Sequence, residues 1–229
     1  MRSMQNFTAN REYQKTLKKS GHPVVSRFIK VNRWINRPLA WVVVKALTPT
    51  GITPNQVSVA SFFIGVAGAA CFAMGGTKWF LAAGILSQLS SIVDCADGML
   101  ARAKDMESVY GKYLDIFLDR IVEFLLIGGI ALGLFRTTGR SWFLILGLLG
   151  TSVYFLHVTL YYITINYYHS RESGETSEMR ALLLILILLF AVINRLDIGL
   201  WVLLVIAVIT NIYIIVNFFR LPKKQPPLA

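Results

Sequence analysis

The chain has 229 residues, 55% of them hydrophobic, with a mean hydropathy of +0.58, which excludes an ordinary soluble domain and leaves the bilayer as its solvent. A formal charge of +11 raises nucleic acid as a partner, but ten Lys or Arg against the one acid Glu12 lie between Met1 and Leu47. That distribution is a basic flank suited to an anionic cytoplasmic leaflet, or to positive-inside topology alone, and not a nucleic-acid-binding face.

Residues 1–21 are polar, with no early apolar core or small-residue cleavage site of a signal peptide. Over 22–48, charges alternate with Val24, Val25, Phe28, Ile29, Val31, Trp34, Ile35 and Leu39 at roughly helical spacing, which predicts an interfacial amphipathic helix. The stretch TPTGITPNQ then breaks that helix, and Pro54 is placed to start the next.

Six apolar segments follow, and a spanning helix needs roughly 20 such residues. They run over about 55–75, closed by Gly75 and Gly76, about 79–103, from Tyr110 through the apolar run 124–135, and then 141–170, 181–193 and 198–219. The expected architecture is therefore all-α and integral to the membrane. An amino-terminal segment, 1–48, precedes a six-helix domain over 49–220, and 221–229 form a tail. Six spans put both termini on one side. Basic residues concentrate in the amino terminus, in the connections near 103–109 and 170–180, and in the tail, whereas the opposite loops hold only Lys78, Arg136, Arg140 and Arg195. This bias predicts cytoplasmic termini and a site that opens to the cytoplasm.

The second and third spans are unusual because they carry acids in their cytoplasmic halves, within DCADGMLARAKDMESVYGKYLDIFLD, residues 94–119. At about 100° per residue, Asp94, Asp97, Gly98, Ala101 and Arg102 fall within one arc of the second helix. Asp115 and Asp119 share one face of the third with Gly111. A short turn joins the two helices, so these faces should oppose each other.

Each carboxylate at membrane depth costs about 2.5–3.5 kcal/mol, and four together repel one another unless a cation neutralises them. Hard divalent cations prefer carboxylate oxygens, magnesium keeps open positions for water or phosphate, and two metals can clamp a phosphoryl group in an in-line displacement. Gly98 and Gly111 suit either a close helix approach or substrate access to the metals. Arg102 suits either a diphosphate or a neighbouring aspartate.

The spacing resembles the signature of the CDP-alcohol phosphatidyltransferase family: DGxxAR, eight residues, then GxxxDxxxD, with a further aspartate three positions earlier. Asp97, Gly98, Ala101, Arg102, Gly111, Asp115 and Asp119 all match, and Asp94 is the preceding acid. The basic amphipathic lead-in, the TPNQ start of the first span and the six-span layout are also similar. The resemblance implies that Asp94, Asp97 and Asp115 bind metal, two Mg2+ ions or Mn2+ in their place, and that Asp119 binds metal and accepts the proton of the attacking hydroxyl. It also implies nucleotide and diphosphate contacts from Gly98, Arg102, Ser108 and Gly111. The segment Thr53, Pro54, Asn55 and Gln56 belongs to the same contacts, with Asn55 foremost. The reaction implied is metal-dependent transfer from a CDP-alcohol donor to an alcohol acceptor with release of CMP. Members often form homodimers.

The acceptor is less legible. A phosphorylated acceptor calls for extra cations, yet the fourth span offers Tyr154, His157, Tyr161, Tyr162, Asn166, Tyr167, Tyr168 and His169, with no Lys or Arg before Arg171. This set fits a neutral polyol, an amine head group held by cation–π contact, or simply an interfacial aromatic belt and a helix-packing histidine. The expected donor is CDP-diacylglycerol and the acceptor inositol, inositol phosphate, glycerol phosphate or serine. The alternative is head-group transfer from a soluble CDP-alcohol to a lipid hydroxyl. A cation or proton transporter is the rival class, opposed by acids that cluster at one membrane face and by the absence of an inverted repeat.

Overall fold

The computed structural model describes residues 32–168 and 174–220, and for 161, 164–168, 174–179 and 217–220 the backbone only. The first part of the expected amphipathic helix, residues 22–31, lies outside the described residues, as do His169, Arg171 and the tail. The side chains of Tyr161, Asn166, Tyr167 and Tyr168 lie outside them too. Among the described residues there are seven α-helices and no strand. A π-helical turn at Asn32–Asn36 leads into α1 (Arg37–Leu47), and α2 (Pro54–Met74), α3 (Thr77–Ala103), α4 (Val109–Thr138), α5 (Trp142–Tyr168), α6 (Gly174–Val192) and α7 (Leu196–Arg220) follow.

Among the described residues, four helical stretches are long and apolar enough to cross a bilayer: α2, α3, Trp142–Leu160 of α5 and Leu196–Val216 of α7, with mean hydropathies between 1.4 and 2.6. The chain is a multi-pass integral membrane protein. The remaining two long helices differ for identifiable reasons. α4 has 30 residues, about 45 Å at the helical rise, but carries Asp115, Asp119, Arg120 and Glu123. α6 has a shorter apolar part, Arg180–Val192.

Local chemistry sets the helix ends. Thr53 Oγ1 accepts from Gln56 N at 3.4 Å while Gln56 Oε1 accepts from Thr53 N at 2.9 Å, a capping box with Pro54 in the first turn of α2. Gly75 and Gly76, at φ 78° and 90°, close α2 in a region that disfavours side chains. Ser108 caps α4 by accepting from Gly111 N at 2.9 Å. The sequence expectation for 170–180 as a connection is corrected here, because α6 begins at Gly174, about two turns ahead of the apolar run at Ala181. Glu, Met and Arg are good helix formers, so the segment extends the helix although its polarity reads as loop.

α2 packs against α3 and α4, α3 against α6, and α5 against α4 and α7. The α2–α4 approach depends on small residues. A Cβ on Gly133 would lie 2.0 Å from Phe72 O and one on Gly129 2.5 Å from Ala69 O, so the backbones meet where side chains are missing. The main core gathers Phe72, Phe80, Leu126, Ile130, Phe143 and Leu184. A second cluster seats Ala40 and Val44 of α1 against Val57, Ala96, Met99 and Leu100. Asn36 reinforces that seat: its Nδ2 donates to Ser91 Oγ at 2.9 Å and its Oδ1 accepts from Gln88 Nε2 at 2.7 Å. The start of α1 is thus tied to α3 one turn before Asp94.

Candidate active site

The acidic faces of α3 and α4 meet as their spacing requires. Carboxylate oxygens of Asp94, Asp97 and Asp115 lie within 4.8 Å of one another. Asp97 is buried, and the hydroxyl of Ser58, a buried residue of α2, donates to its Oδ2. Asp94 Oδ1 is buried without a hydrogen-bond partner. Three close carboxylates, one with an orphaned buried oxygen, are a donor set suited to a hard divalent cation; the residues fit the metal that the spacing implies.

Asp119 stands one turn beyond Asp115 and outside that triad. Its Oδ2 accepts from Arg180 Nη1 at 2.7 Å, and the same nitrogen lies 2.5 Å from Asp94 Oδ2. Arg180 Nε is 3.5 Å from Glu123 Oε1, and Glu123 Oε2 is 2.7 Å from Arg120 Nη1. Arg120 Nη1 also donates to Tyr154 Oη at 3.2 Å, with the guanidinium carbon 5.8 Å from the Tyr154 ring centroid. The site is therefore five acids and two arginines drawn from α3, α4 and α6, with Ser58 contributed by α2.

Among the nucleotide contacts expected from the sequence, the structure separates helix-capping residues from those that face the site. Thr53, Pro54 and Gln56 form the start of α2, and Ser108 caps α4. Asn55 faces Gly111 across the α2–α4 gap, since a Cβ on Gly111 would lie 2.9 Å from Asn55 Oδ1. Gly98 is not a helix-packing glycine: the nearest atoms to a Cβ there are Arg102 Nη1 and Nη2, at 3.6 and 3.7 Å. Among the described residues Arg102 makes no ion pair, and its Nε is buried without a partner, so it is not spent on a neighbouring aspartate. Lys104 Nζ donates to Thr50 O and Ile52 O at 2.7 and 2.8 Å, fastening the loop ahead of Thr53 to the end of α3.

Four site residues escape sequence reasoning as site members: Ser58, Glu123, Arg120 and Arg180. The signals were there. Glu123 continues the Asp115, Asp119 spacing by a further turn, Ser58 is a polar residue in an apolar span, and Arg180 stands at the head of the apolar run of α6. Of the fourth-span set, Tyr154 reaches the site through Arg120. His157 is buried and, with Arg120, Tyr154, Leu183, Leu203 and Thr210, lines an open apolar cleft.

Residues 51–218 match the family described as CDP-alcohol phosphatidyltransferase. A protein of Archaeoglobus fulgidus named bifunctional IPC transferase and DIPP synthase is 37% identical over 131 residues, covering 57% of this chain and 24% of that protein. The archaetidylinositol phosphate synthase of Pyrococcus horikoshii is 34% identical over 104 residues, covering 45% of this chain and 53% of that one. The chain thus spans about half or less of the length of these curated relatives. The fold is that of phosphatidylinositol phosphate synthase of Mycobacterium tuberculosis, solved with CDP-DAG bound, at a TM-score of 0.65 and 22% identity over 84% of this chain and 99% of that one. The same protein has also been solved in complex with manganese and citrate.

Proposed function

The chain belongs to the CDP-alcohol phosphatidyltransferase family, whose members transfer substituted phosphate groups, and on that premise we propose that it moves phosphatidyl from CDP-diacylglycerol to a polar alcohol, inositol phosphate foremost, releasing CMP. The observation that carries the acceptor is Arg180, a buried guanidinium against Asp94 and Asp119. It is the extra cation that a phosphorylated acceptor calls for and that the fourth span lacks. Its fork has donors beyond Nη1 for a phosphate oxygen. The name of the Pyrococcus relative, archaetidylinositol phosphate synthase, points to the same acceptor class.

Asp94, Asp97 and Asp115 would hold the metal, Mg2+ with Mn2+ as a substitute. Five carboxylates against the two arginines leave an excess of three negative charges; one divalent ion leaves the site negative, whereas two leave it with one positive charge to meet the donor's diphosphate, which supports two. When bound, these ions neutralise the diphosphate of the donor. Asp119 takes the proton of the attacking hydroxyl. The acceptor oxygen bonds to the lipid-linked phosphorus as that phosphorus loses its oxygen bridge to CMP, and CMP departs with the bridging oxygen. Arg102, beside the bare Gly98, and Asn55, beside Gly111, approach the nucleotide and its diphosphate. The apolar cleft past Arg120 suits the hydrocarbon of a lipid donor.

On the same premise α4 and α6 complete six crossings, and the site and both termini face the cytoplasm. The exposure of Trp34 in the π-helical turn and of Leu39 and Val42 in α1, at 74%, 49% and 65%, supports this turn and α1 lying along the membrane surface with these residues in lipid.

The test is purified protein with Mg2+, offered CDP-diacylglycerol against inositol phosphate, inositol, glycerol phosphate and serine, and CDP-choline against diacylglycerol, reading CMP and the lipid product. The assignment expects the highest kcat/KM with inositol phosphate. Turnover of CDP-choline alone would move the chain to the head-group branch.

A further inference from the structure

Glu123 is an acid to which the reaction above gives no task. It lies on α4 one turn past Asp119 and two past Asp115, on the face that carries both, and it is 0% exposed. A carboxylate so placed persists only against compensating charge. Two cations supply it, and they differ in kind. Arg120 is 2.7 Å away and is independently supported by the hydroxyl and ring of Tyr154. Arg180 meets Glu123 through Nε at 3.5 Å while its Nη1 bridges Asp94 and Asp119 at 2.5 and 2.7 Å.

One guanidinium is therefore shared by three carboxylates from two helices. A chain that needed only a counter-ion for Arg120 would have no reason to bring that acid against Arg180 as well. We propose that Glu123 is a positioning residue for Arg180. The Glu123 charge lies 3.5 Å from Nε without a hydrogen bond between them, so it draws electrostatically on the guanidinium whose Nη1 stands between Asp94 and Asp119, and limits how tightly Arg180 claims Asp94 from a divalent cation. Asp94 belongs to the carboxylate triad and carries the orphaned buried oxygen, so the balance struck at Arg180 reaches the metal ligands directly. The chemistry rests on the family reading, but the geometry does not depend on which acceptor is used.

The direction of the effect follows from charge sharing. With Glu123 neutralised, two carboxylates share Arg180, the Arg180–Asp94 contact tightens, and a cation competes for Asp94 less well. Partners one shell removed from a metal typically change its affinity 10- to 100-fold.

The experiment measures Mn2+ binding by electron paramagnetic resonance to the full chain in detergent, without substrate, together with thermal unfolding. The proteins are wild type, Glu123→Gln, Arg180→Gln and the double variant. Glu123→Gln should raise the Mn2+ Kd about tenfold in the wild-type background and change it less than about twofold in the Arg180→Gln background. Equal weakening in both backgrounds would mean that Glu123 acts as a bare charge, and an unchanged Kd with a lower Tm would mean that it only neutralises Arg120; either result overturns the proposal. Should Glu123→Gln fail to fold, Glu123→Asp keeps the charge but retracts it by a methylene. It should weaken Mn2+ about threefold, and only when Arg180 is present. Because no acceptor enters the measurement, failure of the inositol phosphate assignment leaves this result readable by itself.

Discussion

Arg180 and Asp119 are 61 residues apart in the chain, yet Arg180 Nη1 lies 2.7 Å from Asp119 Oδ2. The contact joins the first described turns of α6 to the acid proposed as the base, and on the proposed reading it sets a guanidinium beside that base for an acceptor phosphate. Arg180→Gln leaves the buried Glu123 and the half-buried Asp119 with less compensation, so it should cost about 3–5 kcal/mol of stability. The same variant should lower kcat/KM for inositol phosphate about 100-fold or more. Arg180→Lys keeps the charge without the fork and should recover stability better than activity. CMP release across acceptor concentrations, with Tm in parallel, separates the two losses. Equal turnover of inositol and inositol phosphate in wild type and Arg180→Gln would remove Arg180 from acceptor recognition.

How much of this was legible without coordinates differs between the two halves of the site. The α3–α4 half was readable because helical geometry is local: Asp94, Asp97, Asp115 and Asp119 declare their faces by spacing alone. The limits of α2 were readable for the same reason, since Thr53, Pro54 and Gln56 carry the capping chemistry in their own sequence. The other half was not. Arg180 lies in a polar stretch, Gly-Glu-Thr-Ser-Glu-Met-Arg, that hydropathy assigns to a connection, and only the α3–α6 contact brings it to the acids. Ser58 is a single hydroxyl in an apolar run. Nothing in its neighbours says that it faces Asp97 and not lipid, because that depends on how α2 is rotated against α3. Glu123 is the intermediate case. Its i, i+4, i+8 register with Asp115 and Asp119 was visible, but its partners were not.

The triad and Asp119 should respond differently to substitution. Asp97→Asn and Asp115→Asn each remove an oxygen charge from a set whose members lie within 4.8 Å of one another, and each should weaken Mn2+ binding about 10-fold or more. Asp119→Asn alters a carboxylate that shares Arg180 Nη1 with Asp94, and should weaken Mn2+ about tenfold in the wild-type background but less than about threefold in the Arg180→Gln background, while lowering CMP release at saturating metal about 100- to 10,000-fold, the range of a lost general base. Mn2+ titration beside single-turnover CMP release checks both. Loss of Mn2+ in Asp119→Asn as severe as in Asp97→Asn when Arg180 is also Gln would make Asp119 a ligand of the same rank. Chelation by EDTA should abolish turnover in every active protein, with recovery on adding Mg2+.

Ser58 offers a smaller and sharper test. Its hydroxyl is buried and donates to Asp97 Oδ2, so Ser58→Ala leaves one oxygen of a buried carboxylate short of a donor. The expected loss is about 1–3 kcal/mol of stability and a several-fold weaker Mn2+ affinity, because the carboxylate is no longer fixed in orientation. Ser61→Ala is the control. Its hydroxyl donates to Ser58 O at 2.8 Å and not to an acid, so it should affect stability alone. A Ser58→Ala protein with unaltered Mn2+ affinity would reduce Ser58 to a packing residue.

Gly111 and Asn55 make the case in which stability and function should part. Gly111 lies in the first turn of α4, and helix propensity alone favours Ala over Gly in a helix interior by about 1 kcal/mol. A Cβ there would meet Asn55 Oδ1 at 2.9 Å and Ser108 Oγ at 3.0 Å, so the amide of Asn55 must turn aside. Gly111→Ala should therefore keep its Tm while the KM for the CDP-activated donor rises about tenfold at nearly constant kcat, the pattern of lost uniform binding. Asn55→Ala should reproduce that KM. The double variant should be no worse than Asn55→Ala, because both changes remove the same contact. If the two effects instead multiplied, Gly111 would be acting on the diphosphate by its own backbone approach, and Asn55 would be a separate contact with the nucleotide.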